Sequence, residues 1–232
     1  MRDSTTPFGQ AKYQVRFDWG VAGAERIVAG AHIVVLVDAL SFTTMAVVAA
    51  ERGAGADAAT AAVAAVDAAA AAAAVGAAAA PPTGDAHGAV LAASLAASGV
   101  VVLAASLRNR AAVADHILAL QERRGARTTV AIVAVGEPES ADGGARFTVE
   151  DQLTAGAVVD ALVALGIDHI SPEAAVATAA FEGLRHAIVH LVGASGSGVA
   201  LTAAGRRGEA RLATERDVTT LVPEWRDGAF RV

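Results

Sequence analysis

Five consecutive aliphatic residues, Ile33-Val34-Val35-Leu36-Val37, run straight into Asp38 and then into Ser41, Thr43 and Thr44. An unbroken, mostly β-branched run predicts a strand buried on both faces, which a sheet covered by helices on each side provides. Met45 to Glu51 reads as a helix, so the polar residues fall where a buried strand gives way to a helix start. In open α/β sheets ligands bind there, outside the carboxyl ends of the strands and against the free N–H groups of helix N-termini. The same residues also suit a plain strand end at Asp38 and a helix capped by Ser41. This stretch alone does not choose between the two.

The rest of the chain alternates in the same way. Tyr13 to Asp18 reads as an edge strand and Val21 to Ala29 as a short helix. Helix Ala89–Ala97, strand Val100–Ala104, a helix from Asn109 to Gly125 and strand Thr128–Val135 follow in order. Gly136 to Arg146 is a polar loop, Glu150 to Leu165 an amphipathic helix, and Ser171-Pro172-Glu173 starts another with proline in its first turn. Helices at Ala174–Ala180, Leu184–Leu191 and Ser195–Ala204 precede a charged segment, Arg206–Glu215. Val218–Val222 reads as the last strand and Asp227-Gly228 as a turn. Strands alternating with helices across short loops predict a largely parallel or mixed sheet in a three-layer α/β/α arrangement. One body or two lobes would both satisfy this pattern. Residues 1–11 read as a flexible tail and 12–232 as one α/β domain. Its 54–80 segment is low-complexity alanine, strongly helix-favouring but poor in side chains to pack. Pro81 to Gly84 reads as a linker.

Charge and composition remove several functions. A net charge of −6 over 232 residues and a pI near 5.5 leave no basic face for nucleic acid. The basic pairs Arg123-Arg124 and Arg206-Arg207 read as solvated surface. No cysteine is present, which removes thiolate catalysis and cysteine-bound zinc and fits a cytoplasmic setting. The uncharged window Gly88–Leu107 is broken at Ser98-Gly99 by a helix-to-strand change, so no membrane span is expected. Alanine-rich helix faces are compatible with a homodimer.

Three more polar stretches fall at strand ends or helix starts. Ser106, Arg108 and Asn109 follow the Val100–Ala104 strand and suit an oxyanion such as phosphate, or equally an ordinary helix cap. Gly136-Glu137 leaves the next strand. Thr148 would cap a helix with Glu150 and Asp151 in its first turn, where the dipole favours negative charge. Asp38, Glu137, Glu150 and Asp151 are together the donors that Mg²⁺ takes alongside water and substrate phosphate. His186 and His190 lie four apart but lack a supporting Glu, and they read as helix-surface or core histidines. Gly193 to Gly198 lacks the lysine and spacing of a P-loop and reads as a flexible loop.

In order along the chain, Val37-Asp38-Ala39-Leu40-Ser41-Phe42-Thr43-Thr44, Leu107-Arg108-Asn109-Arg110 before Ala111 to Ala114, Gly136-Glu137, Glu150-Asp151, Ala155 to Ala157, and Asp217-Val218 through Val222-Pro223 resemble the 2-phosphosulfolactate phosphatase family. The family's Ser-Pro-Asn-Gly loop is replaced here by Asp85-Ala86-His87-Gly88, and the segment before it is shorter and reduced to alanine. The resemblance implies a Mg²⁺-dependent phosphatase acting on 2-phospho-3-sulfolactate, a small phosphorylated sulfonate, on a route to coenzyme M or sulfolactate. On that reading Asp38, Glu137 and Asp151 are catalytic, and Asp38, Glu137, Glu150 and Asp151 hold Mg²⁺. Ser41, Thr43, Thr44, Arg108, Asn109, His87 and Gly88 bind the substrate and its phosphate. Asp38 would attack phosphorus or orient a water, and the residues leave both open. A catalytically silent relative that binds a phosphorylated or sulfonated small molecule is the alternative.

Overall fold

A computed structural model describes residues 7–53, 84–138 and 144–232. The alanine-rich segment, residues 81–83 of the linker and residues 1–6 of the tail lie outside them. In chain order the elements are β1 (Val15–Trp19), α1 (Gly20–Ile27), β2 (Ile33–Val37), α2 (Phe42–Glu51), α3 (Gly84–Ala97) and β3 (Val101–Ala105). A 3-10 turn (Leu107–Asn109) leads into α4 (Arg110–Arg124) and β4 (Val130–Ala134). A small antiparallel pair, β5 (Glu137–Pro138) and β6 (Ala145–Arg146), precedes α5 (Val149–Ala164) and α6 (Pro172–Leu184). The short helices α7 (Ile188–Ala194), α8 (Gly196–Ala203) and α9 (Arg207–Leu212) then lead to a hairpin, β7 (Glu224–Arg226) and β8 (Ala229–Arg231).

The main sheet has the order β1-β4-β2-β3-β7-β8. The first four strands are parallel, and β7 and β8 close the far edge antiparallel. β2 lies between β4 and β3, so all five of its residues are buried, as the unbroken aliphatic run requires. Val34 and Leu36 face a layer made by α1, α3, Phe42, Trp225 and Phe230. Ile33, Val35 and Val37 face the opposite layer, made by α4, α5 and α6. The expected three-layer α/β/α architecture with a mixed sheet is therefore the observed one.

Several boundaries differ from the sequence pattern. Val218–Val222 is not a strand; it begins against the 3-10 turn after β3, where Val218 donates to Arg108 O at 2.9 Å. The strands instead flank Asp227 and Gly228, whose positive φ angles of 51° and 79° make the tight turn that brings β8 back onto β7. The Leu184–Leu191 helix is broken: α6 runs to Leu184 and α7 starts at Ile188. His186 therefore sits in a turn, apart from His190 on α7, and both are exposed. Gly193–Gly198 is a tight helix-to-helix turn rather than a flexible loop. Ser195 caps α8 by accepting from Gly198 N at 3.0 Å and donates to Val192 O at 2.9 Å. Gln10, in the stretch read as a tail, is buried and bonds both ways to the backbone of Phe17. No helix among the described residues is long and apolar enough to cross a membrane.

Small residues set the spacing of the α5–α6 layer. A Cβ on Gly156 would lie 2.0 Å from Ala177 O and 3.0 Å from Phe181 Cβ, so the two helices touch backbone to backbone there. Gly156→Ala is expected to cost about 3 kcal/mol in a urea melt, because the backbone must move to admit the methyl group. Gly183→Ala on α6, where nothing lies within 4 Å, is expected to stabilise by at most about 1 kcal/mol.

Candidate active site

Four parallel strands end on the same side of the molecule, and the polar residues singled out above gather there. Asp38 leaves β2 and is 5% exposed. Thr43 clamps its backbone: Asp38 N donates to Thr43 Oγ1 at 2.9 Å, and that hydroxyl shares its proton between Asp38 O and Ala105 O. Phe42 N, in the first turn of α2, donates to Asp38 Oδ1 at 3.3 Å. The Asp38 carboxylate is thus held at a helix N-terminus, where the dipole favours negative charge. The Leu40–Ser41 peptide between them is cis.

Asp151 ties this loop to the next. Its Oδ1 accepts from Ala39 N at 2.7 Å and its Oδ2 from Gly136 N at 3.0 Å. One carboxylate in the first turn of α5 therefore fixes the exits of both β2 and β4. Gly136 must be glycine, with φ +69° and Arg146 O only 2.6 Å from where a Cβ would stand. Burial pushes the Asp151 carboxyl up to about 7, and the neighbouring Glu150 charge pushes the same way. The N–H groups of Ala39 and Gly136 oppose the rise.

From α3, Gly88 packs directly on this centre: a Cβ there would lie 2.5 Å from Phe42 Cδ1 and 3.0 Å from Asp38 Oδ2. His87 beside it is half-buried, and burial lowers its pKa against the opposing charge of Glu137, so it stands neutral at pH 7. Glu137 leaves β4 on β5, and the Ser197 hydroxyl of α8 lies 3.5 Å from its Oε2.

Arg206 enters from before α9, donating to Ser41 Oγ at 3.1 Å while its guanidinium pairs with Glu209 at 2.7 Å. Neither Arg206 nor Ser197 was singled out from sequence. One belongs to an ordinary-looking basic pair and the other to a glycine-rich stretch. The available signals were the helix stop at Gly205 just before Arg206 and the helix start at Ser195.

Five buried side-chain polar atoms among the described residues lack a hydrogen bond. Four of them, Thr44 Oγ1, His87 Nε2, Thr148 Oγ1 and Glu150 Oε2, belong to helix starts at this end of the sheet; the fifth, on Thr128, precedes β4 at the opposite end. Buried polar groups are normally satisfied, so a cluster of orphans at strand ends makes this the candidate position for a ligand.

Arg108 and Asn109, read in sequence as substrate ligands, are hydrogen-bonded within the protein here. Arg108 is buried and donates to Glu51 at 2.7 Å, to Leu212 O at 3.2 Å and to Glu215. Asn109 accepts from Ser106 N at 2.9 Å and donates to Ala104 O and Leu221 O at 3.1 Å each. These side chains bind the loop after β3 to α2 and to the chain before β7. Their polar groups are committed to the protein itself.

Fold and site together define an α/β/α protein with buried carboxylates and hydroxyls gathered at the carboxyl ends of parallel strands. Comparison with known families makes this specific. A model of the family 2-phosphosulpholactate phosphatase matches residues 86–228, and the chain belongs to that family of phosphoric monoester hydrolases. The matched span includes His87, Gly88, Glu137, Glu150, Asp151 and Arg206 but begins after Asp38, Ser41, Thr43 and Thr44, whose place in the site rests on geometry. No curated protein matches the chain.

Two outcomes follow. The folded Asp151 carboxyl holds its proton to a higher pH than the unfolded one, so stability is greatest below about pH 4 for this group and falls as pH rises towards 7. Urea melts in EDTA should show that decline in wild type relative to Asp151→Asn, and a parallel pair of profiles would refute it. Arg108→Gln should lower stability by about 2 kcal/mol, less than a fully buried pair because Glu51 and Glu215 are partly exposed. KM should stay within about twofold, since no donor would be lost from the ligand; a raised KM at unchanged stability would return Arg108 to the phosphate.

Proposed function

We propose that the chain hydrolyses the phosphate monoester of 2-phospho-3-sulfolactate to sulfolactate and inorganic phosphate, with Mg²⁺, on a route to coenzyme M or sulfolactate. Family membership supports the reaction, and the cluster of unpartnered polar atoms around Asp38 supports the location. Phosphoryl transfer is catalysed mainly by positioning and charge neutralisation, which this end of the sheet is equipped to provide.

Mg²⁺ keeps several waters and takes one or two protein carboxylates beside a substrate phosphate. The described residues gather no group of three or more acidic or histidine side chains suited to a metal. A buried carboxylate oxygen without a donor, Glu150 Oε2, is the atom here that fits a cation, with Asp38 and Glu137 as the further candidates. When bound, the ion would neutralise charge on the phosphoryl oxygens. Both oxygens of Asp151 already accept N–H groups, so Asp151 acts as a positioning residue for the loops that carry Asp38 and Glu137.

On this reading Asp38 stands against the phosphoryl group, pre-aligned by Phe42 N–H and by the Thr43 clamp. Arg206, its charge paired with Glu209, positions the Ser41 hydroxyl at the site by donating to it. His87, neutral and with Nε2 unpartnered, hydrogen-bonds the substrate from the α3 side. Thr44 and the first turn of α2 complete the anion contacts.

The test is phosphate release from 2-phospho-3-sulfolactate by wild type and Asp38→Asn, each with Mg²⁺ and with EDTA. We expect Mg²⁺-dependent release that falls about a thousandfold or more in the variant. Full activity in Asp38→Asn removes Asp38 from the site. No release from folded wild type, together with a melting temperature raised by the same compound, identifies a silent binding relative in which His87 has replaced a catalytic loop residue. Acid-quenched single turnover separates attack by Asp38, which leaves a phosphoenzyme, from orientation of a water.

A further inference from the structure

The three short helices α7, α8 and α9 border an open cleft of about 810 Å³ that the site above does not use. Its lining includes Val189 and His190 of α7, Thr202 of α8, and Arg207, Ala210 and Arg211 of α9, with no carboxylate among the lining residues. Arg207 and Arg211 stand four apart on one helix and open onto the same space. Like charges at that spacing repel, and the repulsion is relieved when both face one anion. Neither has an ion pair among the described residues, whereas Arg206, one position earlier, is neutralised by Glu209. This concentration of unpaired positive charge sits on a chain whose net charge is −6.

We propose that this cleft binds a small organic polyanion, one carrying at least two phosphate, sulfonate or carboxylate groups. Arg207 and Arg211 would grip one end through their planar donor forks. The volume lies in the range of small-molecule sites and exceeds what a single phosphate fills, which leaves room for an organic body between the helices. The site is separate from the one at the strand ends: Arg206 turns to Ser41, while Arg207 and Arg211 line the cleft. Both sites nevertheless meet on the same short segment, so occupancy of the cleft bears on the element next to the Arg206 guanidinium.

Inorganic pyrophosphate serves as the probe, titrated calorimetrically into the full chain in EDTA at constant ionic strength, so that screening is the same in every sample. Wild type should bind it, and Arg207→Gln/Arg211→Gln should bind at least tenfold more weakly. Arg123→Gln/Arg124→Gln on α4 removes the same charge elsewhere and should bind as wild type does. No binding to wild type, unchanged binding in the Arg207/Arg211 variant, or an equal loss in the α4 variant would each overturn the proposal. The readout needs no turnover, so it is decided independently of whether the chain releases phosphate.

Discussion

The carboxylate of Asp151 receives one backbone N–H from the loop after β2 and another from the loop after β4, and both loops hang from it. Neighbouring parallel strands leave a sheet as unconnected ends, and a ligand site made from several ends needs something to hold them in register. A buried carboxylate does this with two directed hydrogen bonds at once. The cost of its burial appears as the raised proton affinity of that group. Thr43 makes the matching tie on the other flank, joining the β2 exit to Ala105 at the end of β3. Asp38 lies between these two ties, which is why its position is defined although its loop is short.

The parts of this arrangement that local chemistry determines were legible in the residues. The aliphatic run before Asp38 specified a strand covered on both faces, and the strand–helix alternation specified the layers. Thr148, Glu150 and Asp151 read correctly as the start of a helix. What local reading leaves out are partners far along the chain. Arg108 reads locally as a phosphate ligand, and the fold brings it Glu51 and Glu215 from opposite directions in the sequence. Asn109 looks like a free donor until the chain before β7 is laid against it. Arg206 looks like solvated surface until α9 is packed and its side chain is carried to Ser41. Short hydrophobic runs were similarly ambiguous. Val218–Val222 has the composition of a strand, yet β3 offers its edge to Glu224 instead.

Alanine abundance has a structural counterpart in the helix layer over β1, β4, β2 and β3. Ala155, Ala157, Ala174 and Ala177 are fully buried around Gly156, so α5 and α6 approach at backbone distance. Such packing gains little from each side chain and depends on many small contacts being made together. It also presents the first turn of α5 rigidly, and that turn carries Glu150 and Asp151.

The antiparallel hairpin that closes the sheet has a consequence for how the chain comes together. β1, β2, β3 and β4 are all complete in sequence well before β7, yet the outer edge of β3 is covered only when β7 and β8 arrive. During synthesis on a ribosome the nascent sheet therefore passes through a stage with an apolar parallel strand open along one side. An open edge of that kind templates pairing with other chains. The hairpin thus acts as a seal applied late, and the interval before it forms is the period in which this protein is most exposed to association with its own unfinished copies.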